Sequence, residues 1–129
     1  MAGLTVHRLG SPLAYFSFTI ASGAAVSDAL DTHGMCPVAI ITPATWTTAN
    51  LTFQGTNIST GTYADVYDDA GTEYNVAAST SRYILLNPSA FASFQYIKVR
   101  SGTTGTPVLQ GGARTVVMML RKLHRVEGS

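Results

Sequence analysis

Charge is scarce in this 129-residue chain: only 12% of residues are Asp, Glu, Lys or Arg, about half the ~25% typical of a soluble domain. There is a single cysteine, Cys36, so no intrachain disulfide and no cysteine-based zinc cluster can form, and the fold must hold by packing. No apolar stretch reaches the roughly 18 residues that a helical membrane span requires, and no membrane association is expected. The run from Leu13 to Ile20 followed by Ala21-Ser22-Gly23-Ala24, with Arg8 as a thin positive region, faintly imitates a secretory leader; it is expected to stay in the chain as a strand. A sustained 3.6-residue apolar period is also missing, which excludes a helical fold. Nor is there a phosphate-cradling glycine loop, a nucleophile elbow or a zinc-binding helix motif.

What fills the space is 46% hydrophobic residues together with many Thr, Ser, Ala and Gly. The length suits one domain with one core, and a polar but weakly charged surface suits a protein packed against other subunits. Short β-rich runs broken by Gly, Pro, Asn, Asp and Ser predict an antiparallel sandwich or barrel of about eight strands. The strands are expected at Ala14 to Ile20, Val38 to Thr42, Asn50 to Gly55, Tyr63 to Tyr67, Glu73 to Ala77, Tyr83 to Leu86, Tyr96 to Ser101 and Arg114 to Lys122. Alternation places Leu51, Phe53, Ile97 and Val99 in the core and puts Lys98 and Arg100 together on a wet face. Ser27 to Leu30 and Pro88 to Ser93 each have room for one helical turn. Asp68-Asp69-Ala70-Gly71 supplies the residue types of a tight hairpin. Ser101 to Pro107 has no core-forming side chains and is expected to be an exposed, mobile loop. One domain spans residues 1 to 129: an N-terminal arm over 1 to 12, the sandwich over 13 to 120, and a basic C-terminal arm over 121 to 129.

The search for chemistry yields little. His7, His33 and His124 fall in an arm, a loop and the other end, a poor scaffold for a shared metal, and are taken as surface histidines. Cys36 precedes Pro37 at the entry to an apolar run and is expected to be a small buried hydrophobe. Asp65, Asp68, Asp69 and Glu73 form the one carboxylate cluster. Their spacing departs from the twelve-residue calcium loop, and turn chemistry accounts for them, so neither metal nor cofactor is expected. Trp46, the sole tryptophan, either plugs the core or, exposed at a rim, stacks on a sugar; the plug is favoured. No catalytic constellation is present, and the chain is expected to be a binding module rather than an enzyme. Residues 114 to 129 hold Arg114, Arg121, Lys122 and Arg125 against Glu127, a basic end without the interleaved aromatics of a nucleic-acid platform.

Certain blocks carry a resemblance in their order along the chain. They are Leu30-Asp31, Pro37-Val38-Ala39-Ile40-Ile41-Thr42-Pro43-Ala44-Thr45-Trp46, Leu51-Thr52-Phe53-Gln54-Gly55, Tyr67-Asp68-Asp69-Ala70-Gly71-Thr72-Glu73-Tyr74, Tyr96-Ile97-Lys98-Val99-Arg100-Ser101-Gly102-Thr103, Pro107-Val108, and Arg114 opening the last apolar run. In this order they resemble small β-sandwich proteins encoded among the head genes of tailed bacteriophages and phage-like particles. Gly55-Thr56-Asn57 departs from that pattern, in which a small-residue Asp-Gly turn stands here. The resemblance implies an all-β, jelly-roll-like sandwich with extended arms, made in the host cytoplasm and carried on the outer surface of a virion. The implied role is a capsid decoration (cement) protein or a head-fibre base, with the major capsid protein as partner and a homotrimer as the favoured assembly. Arg8, Arg121, Lys122 and Arg125 are the capsid-contact candidates. The alternative is a carbohydrate-binding head- or tail-fibre domain, with Trp46 as its stacking candidate.

Overall fold

A computed structural model describes residues 7–10, as backbone only, and 13–122. Nine strands run in chain order: β1 His7–Gly10, β2 Leu13–Ile20, β3 Leu30–Asp31, β4 Cys36–Ile41, β5 Leu51–Thr56, β6 Ala64–Asp65, β7 Tyr83–Leu85, β8 Tyr96–Ser101 and β9 Arg114–Arg121. A five-stranded sheet in the order β1-β2-β9-β4-β7 packs against a four-stranded sheet in the order β3-β8-β5-β6. Every strand pair is antiparallel. The partnerships β2 with β9, β3 with β8, β4 with β7 and β5 with β6 nest inside one another along the chain, as in a jelly roll.

Period-2 alternation sets which side of each strand is dry. In β2, Ala14, Phe16, Phe18 and Ile20 point inward, and in β9, Val116, Met118 and Leu120 do the same. Leu51, Phe53, Ile97 and Val99 face them from the other sheet, all fully buried. Phe53 sits at the centre of an aromatic cluster, edge-on to Phe91 at 5.0 Å and tilted against Tyr74 at 5.8 Å. A knot around buried Gln110 closes one end of the sandwich. Its amide accepts from the backbone N–H of Thr47 (2.8 Å) and from Arg114 Nε (3.2 Å), and donates to Ser101 Oγ (2.7 Å).

The structure departs from the sequence-based expectations in five places. Ser27 to Leu30 forms no helical turn: the Ser27 N–H donates to the Val99 carbonyl, and Leu30–Asp31 forms β3 against β8. The expected strand Tyr63 to Tyr67 contracts to Ala64–Asp65, and Glu73 to Ala77 contributes only isolated bridges, because Asp65 and Glu73 converge on one guanidinium instead of running in register. Arg100 shares its face with Lys98, as alternation requires, but is only 5% exposed. The loop after Ser101 is tied down: Gly102 bridges Pro107, and the N–H of Thr104 donates to both carboxylate oxygens of Glu73. Residues His7–Gly10 of the expected N-terminal arm form an edge strand on β2; the remainder of that arm and residues 123 to 129 lie outside the described residues. Two smaller expectations hold. Pro88–Ala90 is a single 3-10 turn capped by Asn87, and Asp68 caps the hairpin turn, accepting from the N–H groups of Ala70 and Thr72 while Gly71 takes a φ of 84°.

Replacing Phe53 by Ala empties the centre of the aromatic cluster and is expected to cost about 3–5 kcal/mol, measured by urea unfolding. An unchanged midpoint would show that Phe91 and Tyr74 do not depend on it.

Candidate interaction surface

The two outer faces of the sandwich differ in kind. On the four-stranded sheet the outward positions are Asp31, Tyr96, Lys98, Arg100, Thr52, Gln54, Thr56 and Asp65, and their charged groups are engaged. Gln95 Nε2 donates to Asp31 (2.9 Å), Gln54 Nε2 donates to Asp65 (3.2 Å), and Lys98 Nζ lies 4.5 Å from the centre of the Tyr63 ring. Arg100 is the hub. Its Nε donates to Thr52 Oγ1 at 2.9 Å, and its Nη2 donates to Asp65 at 3.0 Å and to Glu73 at 2.7 Å. Two carboxylates around one buried guanidinium satisfy the charge that burial would otherwise penalise. Burial by itself would raise the pKa of Asp65. Hydrogen bonds from Thr104, Gln54 and Arg100, with the Arg100 charge, outweigh it and hold the carboxyl below its ordinary value.

The outer face of the five-stranded sheet is of another composition. The register aligns Tyr83, Ile41, Val117 and Ser17 in one cross-strand row and Leu85, Ala39, Met119 and Tyr15 in the next. Leu13, Thr19, Thr115 and Arg121 complete the outward positions of β2 and β9. Among these positions on β2, β4, β7 and β9, Arg121 alone carries a charge. Leu85 is 79% exposed and Tyr83 62% exposed, both on the edge strand. Four strands about 4.8 Å apart and up to eight residues long give a face of roughly 20 by 27 Å. That is at most about 500 Å², since β7 has only three residues and β4 six, and it falls within the range of the largest apolar patch on a typical monomer, which is often a functional surface.

Of the sequence candidates, Arg121 and Lys122 are exposed at the end of β9, so the described part of the basic end borders this apolar face. The Arg8 side chain and Arg125 lie outside the described residues. Trp46 is 3% exposed and its indole N–H donates to the Ala49 carbonyl at 3.1 Å. It plugs the core, and the sugar-stacking role considered for it is corrected by that burial. Cys36 is buried and its thiol donates to the Pro88 carbonyl, with burial pushing its pKa up. His33 is solvent-facing beside Asp31, 3.8 Å away; His7 and His124 have no described side chain. Of the carboxylate cluster, Asp65 and Glu73 neutralise Arg100 and Asp68 caps its turn. Among the described residues no group of three or more His, Cys, Asp or Glu is arranged to hold a metal ion. Comparison with protein-family models, with curated proteins and with solved structures finds no match.

Because the folded-state pKa of Asp65 is depressed, its contribution to stability is complete above the unfolded value of about 3.9. It is lost as pH falls through the folded pKa. Asp65→Asn is therefore expected to lower the melting temperature at pH 7 and to flatten the decline of stability below about pH 4. Thermal melts of both proteins across that range check it, and parallel acid profiles would remove Asp65 from the account.

Proposed function

We propose that this chain is a structural virion protein, a decoration module that binds the outside of a bacteriophage capsid and stabilises it, and that it is a binding module and not an enzyme. The observation that carries this reading is the outer face of the five-stranded sheet, a broad apolar surface whose described outward positions carry one charge, Arg121. Its opposite number on the four-stranded sheet has its charged groups engaged. Leu85 and Tyr83 continue that face to the sheet edge, so that the exposed apolar surface is contiguous, the kind that marks interaction sites. The ordered sequence blocks that resemble phage head proteins supply the identity of the partner, the major capsid protein. The jelly roll is compatible with that role but does not by itself assign it.

Size bears on the mode of binding. A standard interface takes about 800 Å² from each partner, more than the roughly 500 Å² that the strand geometry gives this face. The remaining contact comes from the basic end that starts at Arg121 and Lys122. It also comes from repetition: in a trimer, closed symmetry presents the same patch several times, and tethering raises avidity by about 10² to 10⁴ over one contact.

Undecorated capsids incubated with the purified protein, pelleted and heated are expected to retain it and to release DNA at a higher temperature than bare capsids. Leu85→Lys with Tyr83→Lys changes exposed side chains, so the melting temperature of the free protein should hold, while capsid binding falls at least tenfold. Deleting residues 121 to 129 is expected to lower occupancy by a smaller factor. Absence of binding by the parent, or undiminished binding by the double variant, would overturn the assignment.

A further inference from the structure

A second surface stands apart from the apolar face and is independent of the capsid reading. Beside edge strand β6 lies an open cleft of about 560 Å³. One wall is the β6 hairpin from Ala64 to Asp69, the other the segment from Asn87 to Phe94, and Gly55 lies at the floor. We propose that this cleft is a binding site for a neutral saccharide.

The argument starts from how the cleft is built. Phe94 lies directly over Gly55: a Cβ at that position would come within 2.4 Å of the ring. The ring also packs against Phe91 at 6.1 Å, so this wall is an anchored aromatic surface, and the bare backbone of Gly55 is what admits it. Across the cleft Tyr67 is 51% exposed, with an aromatic surface open to solvent. The C–H faces of a pyranose are weakly positive and stack on the negative face of an aromatic ring.

The polar groups are held in place as well. Asp68 Oδ1 is fixed by the N–H groups of Ala70 and Thr72, each at 2.9 Å, which sets the orientation of the carboxylate and leaves Oδ2 to accept from a ligand. Asn87 Oδ1 accepts from the N–H of Ser89 (3.2 Å) and from its hydroxyl (2.8 Å), which commits the amide NH₂ as a donor. Asp69, also lining the cleft, makes no hydrogen bond or ion pair among the described residues. A carboxylate that accepts from two neighbouring hydroxyls and an amide that donates to a third oxygen are the complement of a sugar edge. A concave pocket that sets a few convergent polar groups beside aromatic side chains is the form that small-molecule sites usually take.

Charge narrows the class. Among the described residues no Lys or Arg lines the cleft, whereas Asp65, Asp68 and Asp69 do, and of these three only Asp65 is paired with a described cation. Uronic and sialic acids would meet uncompensated like charge, so neutral hexoses are the ligands that fit. The cleft is open and one sugar has few atoms, so affinity for a monosaccharide is set on the order of 1 mM; repetition in an oligomer would raise it.

The test is a ¹⁵N–¹H NMR titration of the full chain with methyl glucoside, methyl galactoside, methyl mannoside and, as the charged control, glucuronate. At least one neutral glycoside is expected to give saturable shifts confined to residues 55, 64–69 and 87–94, with none from glucuronate. Tyr67→Ala and Asp69→Ala should each weaken binding at least tenfold while the rest of the spectrum stays in place, and Tyr67→Phe, which keeps the ring, should bind like the parent. Absence of saturable shifts with all three glycosides, shifts centred elsewhere, or equal binding of glucuronate would overturn the proposal. These outcomes are separate from capsid binding, which the cleft variants should retain.

Discussion

Arg100 holds together the parts of this fold that the sheets alone would leave apart. Its guanidinium takes Thr52 from β5, Asp65 from β6 and Glu73 from the hairpin beyond. Thr104 then closes on the same two carboxylates from the loop after β8. A two-residue edge strand such as β6 has too few ladder hydrogen bonds to fix its own position. The ion cluster supplies what the ladder does not. Burying such a group is costly unless every charge is answered, and here one cation meets two anions with hydroxyl and backbone donors around them.

That arrangement explains why the two outer faces are so unlike. The charged residues of the chain are few, and the four-stranded sheet gathers Asp31, Asp65, Lys98 and Arg100 onto its outward positions. The outward positions of β2, β4, β7 and β9 are left with aliphatic side chains, Met, Tyr, Ser, Thr and a single Arg. Low overall charge, which composition registers only as an average, is thus a local property of one face. Its site is where contact with another molecule has the most to gain.

How much of this is legible in the sequence follows from the range of each interaction. Phe53, Ile97 and Val99 could be assigned to the core because period-2 alternation is written locally, and the Asp68–Gly71 turn because its residue types act on their own backbone. β3 could not: two residues, Leu30 and Asp31, are too short to alternate visibly. The burial of Arg100 was illegible because its partners lie 35 and 27 residues away; in its own strand it reads like the solvent-facing neighbour of Lys98. The cleft was half visible. The Asp68 turn stood out, but Tyr67 read as the end of a strand, and the opposite wall at Asn87 to Phe94 and Gly55 meet them only through the roll of the sheets.

The nesting of the strand pairs has a kinetic side. Leu13 pairs with Arg121 and Ile20 with Arg114, so the central pair of the five-stranded sheet joins strands from opposite ends of the described chain. β4 is also registered on β9. Neither β2 nor β4 therefore has its principal neighbour until β9 has been synthesised. Topologies dominated by such distant pairings fold in about milliseconds to seconds, slower than helical domains of similar stability. During synthesis the inward faces of β2 and β4 wait unpartnered, with Phe16, Phe18 and Ile40 exposed, and the outward apolar face waits beside them. The β hairpin at Asp68–Gly71, with both halves local, can close long before. Folding of this domain therefore waits for β9, and the outer face is completed only when that strand joins β2 to β4.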